Sequence, residues 1–289
     1  MRLLYPLAKR FIAGHSFDSA KPKIDRLIED GYEVSVDYLG ELSQSAEDCE
    51  RAKAQYVEII NYYEDQNIDI SIKPSQLGLL INPAISLKHI TLLAKLAKRK
   101  GHTIRLDMED SKVTELTRNL AISLNKKFGN VGVAVQANLF RTKEDLRALI
   151  NNRVSIRLVK GAYKENNKIA LQDDLDIEAS FFNHAAELAS KGKVTSAIAT
   201  HDESLLEDIE DMIPNPYRFD YEFLYGIRRD LQRDFKKKDC TVRIYVPFGK
   251  DWLPYTLRRL REWKNLKFVI ISVFREFFKK IVDRRLSGV

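Results

Sequence analysis

The chain has 289 residues, of which 44% are hydrophobic, and this is enough to bury a full-sized core. Its formal net charge of +7 favours an anionic ligand or surface, but no compact basic and aromatic motif of a nucleic-acid-binding protein occurs. No apolar run approaches the ~20 residues that span a bilayer, no signal peptide is evident and neither cysteine has metal-site or disulfide spacing, so we expect a cytoplasmic protein without a metal.

Strands and helices alternate along the chain. After a helical lead-in at residues 1–32, eight strands are predicted, at residues 34–40, 68–74, 102–109, 131–139, 154–161, 195–202, 218–226 and 241–249. A helix follows each strand, at residues 45–66, 87–101, 112–129, 143–152, 177–193, 205–213, 227–238 and from Trp252 onward. Ser45 is predicted to cap the helix at residues 45–66, and Pro247 and Gly249 are expected to end the last strand.

Eight strand–helix units in order are typical of a (β/α)8 or TIM barrel. The alternative is a doubly wound open sheet, which usually has fewer units and often carries a glycine-rich first turn; no GxGxxG occurs in this sequence. We therefore predict an α/β protein of one domain, with the barrel at residues 33–262 and an extra C-terminal helix at residues 263–289.

The C-terminal helix has a wide apolar face and a basic face. Two interpretations stay open from the pattern alone. The apolar face can cover the barrel wall, or the helix can make a reversible contact with an anionic membrane.

In a TIM barrel the functional site lies at the carboxyl ends of the strands. The polar residues predicted there include several cationic groups, and the set is Asp37, Glu41, Lys73, Asp107, Gln136, Arg157, Lys160, Thr200, His201, Glu222, Tyr225 and Tyr245. The adjacent Arg258 and Arg259 suit a carboxylate, because the guanidinium fork matches its planar geometry. No metal motif or activated nucleophile is evident, which indicates that a cofactor carries the chemistry.

Seven motifs at these positions resemble the proline dehydrogenase family, and they occur in the family's order. They are SIKPSQLG (71–78), LDMED (106–110), VQANL (135–139), IRLVKGAY (156–163), ATHD (199–202), EFLYG (222–226) and RIYVPFG with YTLRRLRE (243–262). The resemblance, which is to the short monofunctional form, implies a distorted TIM barrel that binds FAD. It also implies oxidation of L-proline to Δ1-pyrroline-5-carboxylate, the first step of proline catabolism to glutamate. Electrons would pass to a quinone or another membrane acceptor, with peripheral contact at the inner face of the membrane.

The resemblance also implies roles for individual residues. Asp107 and Arg157 would be the catalytic pair. The proline carboxylate would be bound by Lys73, Arg258 and Arg259. The pyrrolidine ring would be enclosed by Leu158, Tyr163, Tyr245 and Tyr255. The pocket would be gated by Glu41. The residues that would contact FAD are Met108, Gln136, Lys160, Gly161, Ala162, Thr200 and His201. Asn138 and Asp202 depart from the family pattern near the adenosine end of that site.

Two functions are alternatives to proline oxidation. One is a Schiff-base lyase or aldolase that uses Lys73 or Lys160, which would need an apolar pocket around the lysine. The other is a barrel that only binds an anionic ligand. A yellow protein that reduces a dye when proline is added would distinguish the flavoenzyme from both.

Overall fold

The structure is a computed structural model that describes residues 9–40, 42–163, 165–214 and 218–262, with side chains up to residue 257 in the last of these ranges. It contains a closed barrel of eight parallel strands, in which each strand pairs with the next and the eighth pairs with the first. The strands are β1 (Glu33–Tyr38), β2 (Asp69–Ile72), β3 (Thr103–Leu106), β4 (Val131–Gln136), β5 (Ile156–Val159), β6 (Ser196–Ala199), β7 (Phe219–Leu224) and β8 (Thr241–Phe248). Closure confirms the predicted barrel, and the open-sheet alternative is wrong.

The described helices surround the barrel, one before β1 and one after each strand. They are α1 (Phe17–Glu29), α2 (Ala46–Tyr62), α3 (Pro83–Arg99), α4 (Thr114–Phe128), α5 (Thr142–Asn151), α6 (Asp174–Lys191), α7 (Glu203–Met212), α8 (Arg229–Lys237) and α9 (Trp252–Glu262). A short 3-10 turn (Pro74–Leu77) links β2 to α3. Among the described residues, no helix is long and apolar enough to cross a membrane.

Capping explains where several helices begin. The predicted cap Ser45 is confirmed, because its hydroxyl accepts a hydrogen bond from the Asp48 amide and the Asp48 side chain accepts one from Ser45. Helix α3 begins at Pro83 rather than at residue 87, since the Asn82 side chain caps it and proline suits the first helical position.

The last strand continues through Pro247. Pro247 lies inside β8 and pairs in register with Asp37, so the prediction that it ends the strand is wrong. Its carbonyl accepts a hydrogen bond of 2.8 Å from the Ala13 amide, which comes from the segment ahead of α1. The fixed backbone of proline is compatible with an extended strand.

The helix before β1 occupies the place that the last helix has in a regular barrel. Helix α1 packs on β1 and β8, with Phe17 5.5–5.6 Å from the rings of Tyr62 and Phe248. This is the wall that the helix after β8 covers in a regular barrel. The first turn of α9 instead packs through Trp252 and Tyr255 against Ile12 and Leu39, just beyond the carboxyl end of β1. Helix α9 therefore begins at the barrel mouth.

The strands alternate between apolar residues that face the helices and polar residues that face the barrel interior. The outward set joins one apolar core with the helices and includes Val34, Val36, Ile70, Ile72, Ile104, Leu106, Val133, Ile156, Leu158, Ile198, Tyr221, Phe223, Val242, Ile244 and Val246. The inward set makes polar contacts across the barrel: Arg105 donates to Asp69 at 2.6 Å, and Arg243 donates to Asp220 at 2.8 Å. The interior is thus an ionic network rather than layers of branched apolar side chains.

Parts of the expected architecture lie outside the described residues. These are residues 1–8 of the lead-in, the gate residue Glu41 and the C-terminal helix at residues 263–289.

Candidate functional site

Four of the predicted site residues meet at the carboxyl end of the barrel. Arg157 Nη1 donates to Asp107 Oδ1 at 2.6 Å, and the Tyr245 hydroxyl donates to Oδ2 of the same carboxylate at 2.8 Å. Lys73 Nζ lies 3.5 Å from that second oxygen. Because the partners come from β5, β8 and the end of β2, closure of the barrel fixes the Asp107 carboxylate from three directions.

Arg157 is the centre of a buried ionic network. It is 3% exposed, and its Nε donates to Glu222 at 2.6 Å while Nη2 donates to Ser71 at 3.0 Å. Burial would lower its pKa, but the carboxylates of Glu222, Asp107 and Asp69 outweigh burial and raise the pKa above the ordinary range. Its guanidinium also lies 5.0 Å from the Tyr245 ring centroid, so a permanent positive charge borders the mouth.

Tyr245 acts as a hydrogen-bond donor in this cluster. Burial raises its pKa well above the usual value, and the nearby carboxylates of Asp107 and Asp37 raise it further. The phenol therefore stays protonated at neutral pH and donates to Asp107.

Asp37 also belongs to this cluster, although the family motifs gave it no role. Its side chain is fully buried, and Oδ1 accepts a hydrogen bond of 2.8 Å from Lys73 Nζ. Within the described part of the chain, Oδ2 has no hydrogen-bond partner. Burial raises the pKa of Asp37 against the opposing effect of Lys73, and Asp107 adds to the rise. The alternation in VSVDYL already places Asp37 on the inward face with Ser35, which was the available signal.

A second group of predicted residues lies at the ends of β4 and β5. Gln136 is 2% exposed, and its Nε2 donates to the Glu109 carbonyl at 3.2 Å. Its Oε1 finds no partner among the described residues. Gly161 has a φ of +125°, and a Cβ on it would lie 2.2 Å from Asn138 Oδ1, so only glycine fits there.

Lys160 contacts two carboxylates at the rim. Its Nζ lies 2.6 Å from Asp202 Oδ2 and 2.9 Å from Glu178 Oε1. Burial would raise the pKa of Asp202, but hydrogen bonding and charge from Lys160 lower it to about 2. Asp202 also caps α7 by accepting from the Leu205 amide, so this departure from the family pattern has a structural role of its own.

Thr200 and His201 are engaged with the loop between β6 and α7. The Thr200 hydroxyl accepts from the Asp202 amide at 3.2 Å, and His201 Nε2 accepts from the Leu224 amide at 2.9 Å. The second contact ties the end of β6 to the end of β7, and in the neutral ring it places the imidazole proton on Nδ1.

The remaining predicted residues are not all brought into the Asp107 cluster. Leu158 is fully buried on the outward face of β5, opposite to Arg157, and belongs to the apolar core. Tyr255 is 5% exposed and packs with Ile12 and Leu39. Met108 is buried just beyond β3, whereas Ala162 and Tyr163 are partly exposed in the loop after β5.

Three predicted substrate-binding residues cannot be placed relative to the cluster. The backbone of α9 carries Arg258 and Arg259, but their side chains, like Glu41, lie outside the described part of the structure. Among the described residues, no group of three or more His, Cys, Asp or Glu is arranged to hold a metal ion.

A family model and the similar proteins agree on one family. The model of the family described as "Proline dehydrogenase" matches residues 20–269 of the chain. The chain is 31% identical over 281 residues to "Proline dehydrogenase 1" of Bacillus subtilis (strain 168), with 93% of this chain and 91% of that protein covered. It is 32% identical over 284 residues to "Proline dehydrogenase" of Deinococcus radiodurans, with 94% and 91% covered.

A solved structure shares the fold. Proline utilization A from Bdellovibrio bacteriovorus, inactivated by N-propargylglycine, superposes with a TM-score of 0.82 at 23% identity. The match covers 92% of this chain but 33% of that one, so this chain spans about a third of its length. The likeness concerns the barrel fold.

Proposed function

This chain belongs to the proline dehydrogenase family, and from that premise we propose that it oxidises L-proline to Δ1-pyrroline-5-carboxylate with FAD as the hydride acceptor. Membership makes it an oxidoreductase that acts on proline. The product, the cofactor and a quinone-type membrane acceptor are the further parts of the proposal.

The observation that carries the proposal is the Asp107 cluster at the barrel mouth. Proline is a zwitterion, so its site must accept a carboxylate and an ammonium group that loses a proton during oxidation. Lys73 supplies a buried cation for the carboxylate, and we assign Arg258 and Arg259 to the same task. Asp107, held by Arg157 and Tyr245, supplies a fixed acceptor near the substrate nitrogen.

The residues at the ends of β4 and β5 fit a flavin. Gln136 has its amide nitrogen held by the Glu109 carbonyl, which leaves a buried Oε1 that can accept from the ring N–H of an isoalloxazine. We assign Met108, Gly161, Ala162, Thr200 and His201 to the same cofactor, and Lys160 to its phosphates. When bound, FAD would supply the hydride acceptor, and the positive charge of Arg157 would favour the reduced, anionic ring.

The pocket must also hold the pyrrolidine ring away from water. We assign this task to Tyr245 on β8, Tyr163 in the loop after β5 and Tyr255 in the first turn of α9. Leu158 is not assigned to this wall, since its side chain lies in the apolar core on the outward face of β5.

The Schiff-base alternative has less support. A Schiff-base lysine works in apolar surroundings, where the neutral amine is favoured. Lys73 instead contacts the carboxylates of Asp37 and Asp107, and Lys160 contacts two others. Neither lysine therefore lies in the apolar surroundings that the Schiff-base role requires.

A dye-reduction assay tests the proposal. The purified protein should be yellow and should reduce an artificial electron acceptor when L-proline is added, but not when D-proline is added. A colourless protein that forms a borohydride-reducible adduct at Lys73 or Lys160 would support the lyase instead. A protein that binds proline without reducing the dye would be the non-catalytic barrel.

A further inference from the structure

The barrel interior contains more buried acids than buried bases. Counted over the described interior with the pair Asp220–Arg243 included, there are five carboxylates and four cations: Asp37, Asp69, Asp107, Asp220 and Glu222 against Lys73, Arg105, Arg157 and Arg243. Asp69 contacts Arg105 at 2.6 Å and Arg157 at 3.5 Å, and Glu222 contacts Arg157 at 2.6 Å. Asp37 and Asp107 share Lys73, so one acid is only partly compensated.

The contacts single out Asp37 as that acid. Asp107 accepts hydrogen bonds from Arg157 and Tyr245, whereas Asp37 accepts one at Oδ1 from Lys73 and gains a smaller stabilisation from the Tyr245 hydroxyl. Among the described residues, the titratable groups that face Asp37 are Lys73 after β2, Asp107 after β3, Tyr245 on β8 and Tyr56 on α2. Lys73 is the one cation in this described set, Asp107 adds negative charge, and the two phenols carry no positive charge in either protonation state.

We propose that Asp37 takes up a proton when a carboxylate ligand enters the mouth and draws Lys73 away from it. The inference rests on the proposed function, since the ligand's carboxylate is assigned to Lys73. A second negative charge beside a buried carboxylate that is losing its cation favours the neutral acid.

With proline as the ligand, this proton comes from the substrate. Lys73 Nζ first gives one proton to Asp37 Oδ1 across the 2.8 Å hydrogen bond, then turns to the ligand and takes one from the substrate ammonium, for which Asp107 is a hydrogen-bond acceptor. One N–H bond of the substrate breaks, one O–H bond forms on Asp37, and the lysine ends as it began. The substrate nitrogen is then a neutral amine with a lone pair, which is the form that can lose a hydride from the adjacent carbon. Asp37 is a positioning residue in this scheme, because it acts through Lys73.

The test uses a ligand that has the carboxylate but no proton to give. Tetrahydro-2-furoic acid carries oxygen in place of the ring N–H of proline. Its binding to the flavin-loaded protein at neutral pH is measured by titration calorimetry in buffers of different ionisation enthalpy, which counts the protons exchanged. We expect uptake of about one proton per site, and a gain of protonated carboxyl absorption in the infrared difference spectrum.

Two variants identify the residue that takes up the proton. Asp37→Asn should bind the analogue without proton uptake and without the infrared band. Asp220→Asn is the matched control, because Asp220 is an interior acid paired with Arg243 at the opposite end of the barrel; it should retain both signals. With proline, kcat/KM of Asp37→Asn should rise about tenfold per pH unit near neutrality, since only the neutral amine then reacts.

The possible outcomes distinguish a failure of the Asp37 inference from a failure of the proposed function. Binding of the analogue to the unmodified protein without proton uptake overturns this inference alone, and so does equal uptake by Asp37→Asn. The infrared measurement on the unmodified protein decides the question even if Asp37→Asn does not fold. Failure of both proline and the analogue to bind overturns the proposed function together with this inference.

Discussion

At the scale of single residues, the site is held together by hydrogen bonds between side chains that are distant in sequence. Arg157 and Glu222 are 65 positions apart, and Tyr245 and Asp107 are 138 apart, yet each pair is joined by a hydrogen bond. The motifs and strand ends could predict that Lys73, Asp107, Arg157 and Tyr245 meet, because parallel strands end at one face. They could not predict that Asp37 keeps one oxygen unpartnered or that Lys160 contacts two acids, since these depend on side-chain positions across the barrel.

Replacement of Arg157 should destabilise the protein as well as inactivate it. Arg157→Met leaves Asp107 and Glu222 buried without their main cation, so we expect the free energy of unfolding to fall by about 3–5 kcal/mol. Urea denaturation of the flavin-loaded protein measures this. Arg51→Met, which removes a 62% exposed arginine from a surface ion pair, is the control and should change stability by less than about 1 kcal/mol. Equal stability of both variants would contradict the buried network.

The proposed carboxylate clamp makes a separate prediction. Arg259→Met should raise KM for proline by more than about tenfold while FAD stays bound, because a charge-assisted hydrogen bond contributes about 2–4 kcal/mol. Steady-state kinetics and the flavin content of the purified variant measure the two effects. Arg229→Met, at an exposed position on α8, is the matched control. Unchanged proline kinetics in Arg259→Met would exclude the clamp.

At the scale of elements, strand alternation was the most informative part of the sequence. In β8 the apolar residues face the helices and the polar residues face the interior, in agreement with their alternation along the sequence. Helix starts were less predictable where the cap precedes the apolar pattern, as at Asn82 and Asp173. Nor could periodicity show that α1, rather than the helix after β8, packs on the wall between β8 and β1.

The start of α7 gives a pH-dependent prediction. The pKa of Asp202 in the folded protein is about 2, below its ordinary value of 3.8, because Lys160 outweighs burial. A depressed pKa means that the stabilisation is present above the ordinary value and is lost as the pH falls through about 2. Asp202→Asn preserves the cap but removes the ion pair. Its Tm should therefore lie below that of the unmodified protein at pH 7, and the difference should disappear near pH 2.

Glu207→Gln is the control for that experiment, because it removes one negative charge from an exposed position on the same helix. It should show little change in Tm at either pH. A Tm difference for Asp202→Asn that is equally large at both pH values would show that the ion pair with Lys160 is not its cause.

At the scale of the whole molecule, the closed barrel brings the Asp107 cluster, the residues that we propose to bind the flavin and the start of α9 to the same end. The number and order of strand–helix units made this architecture predictable. The net charge of +7 is a property of the whole chain, and part of it lies in the C-terminal segment outside the described residues. We propose that this segment contacts an anionic membrane, where a quinone would reoxidise the flavin.

Vesicle sedimentation tests that contact. The full chain should bind vesicles that contain anionic lipid but not neutral vesicles, since each basic residue near an anionic surface contributes about 1 kcal/mol. Binding should be lost when glutamine replaces the cations of the segment, which are Arg275, Lys279, Lys280, Arg284 and Arg285. The control replaces five exposed cations on α3 and α4, which are Lys95, Lys98, Arg99, Lys126 and Lys127. Equal loss in both variants would indicate a nonspecific charge effect rather than a membrane contact of the segment.

The central claim is that this barrel transfers a hydride from L-proline to a bound flavin. Anaerobic titration of the flavin-loaded protein with L-proline tests it most directly, with the visible flavin absorption and the appearance of Δ1-pyrroline-5-carboxylate followed together. We expect the flavin to bleach with formation of one product molecule per flavin reduced, and D-proline to leave it oxidised. A flavin that stays oxidised at saturating L-proline would contradict the account.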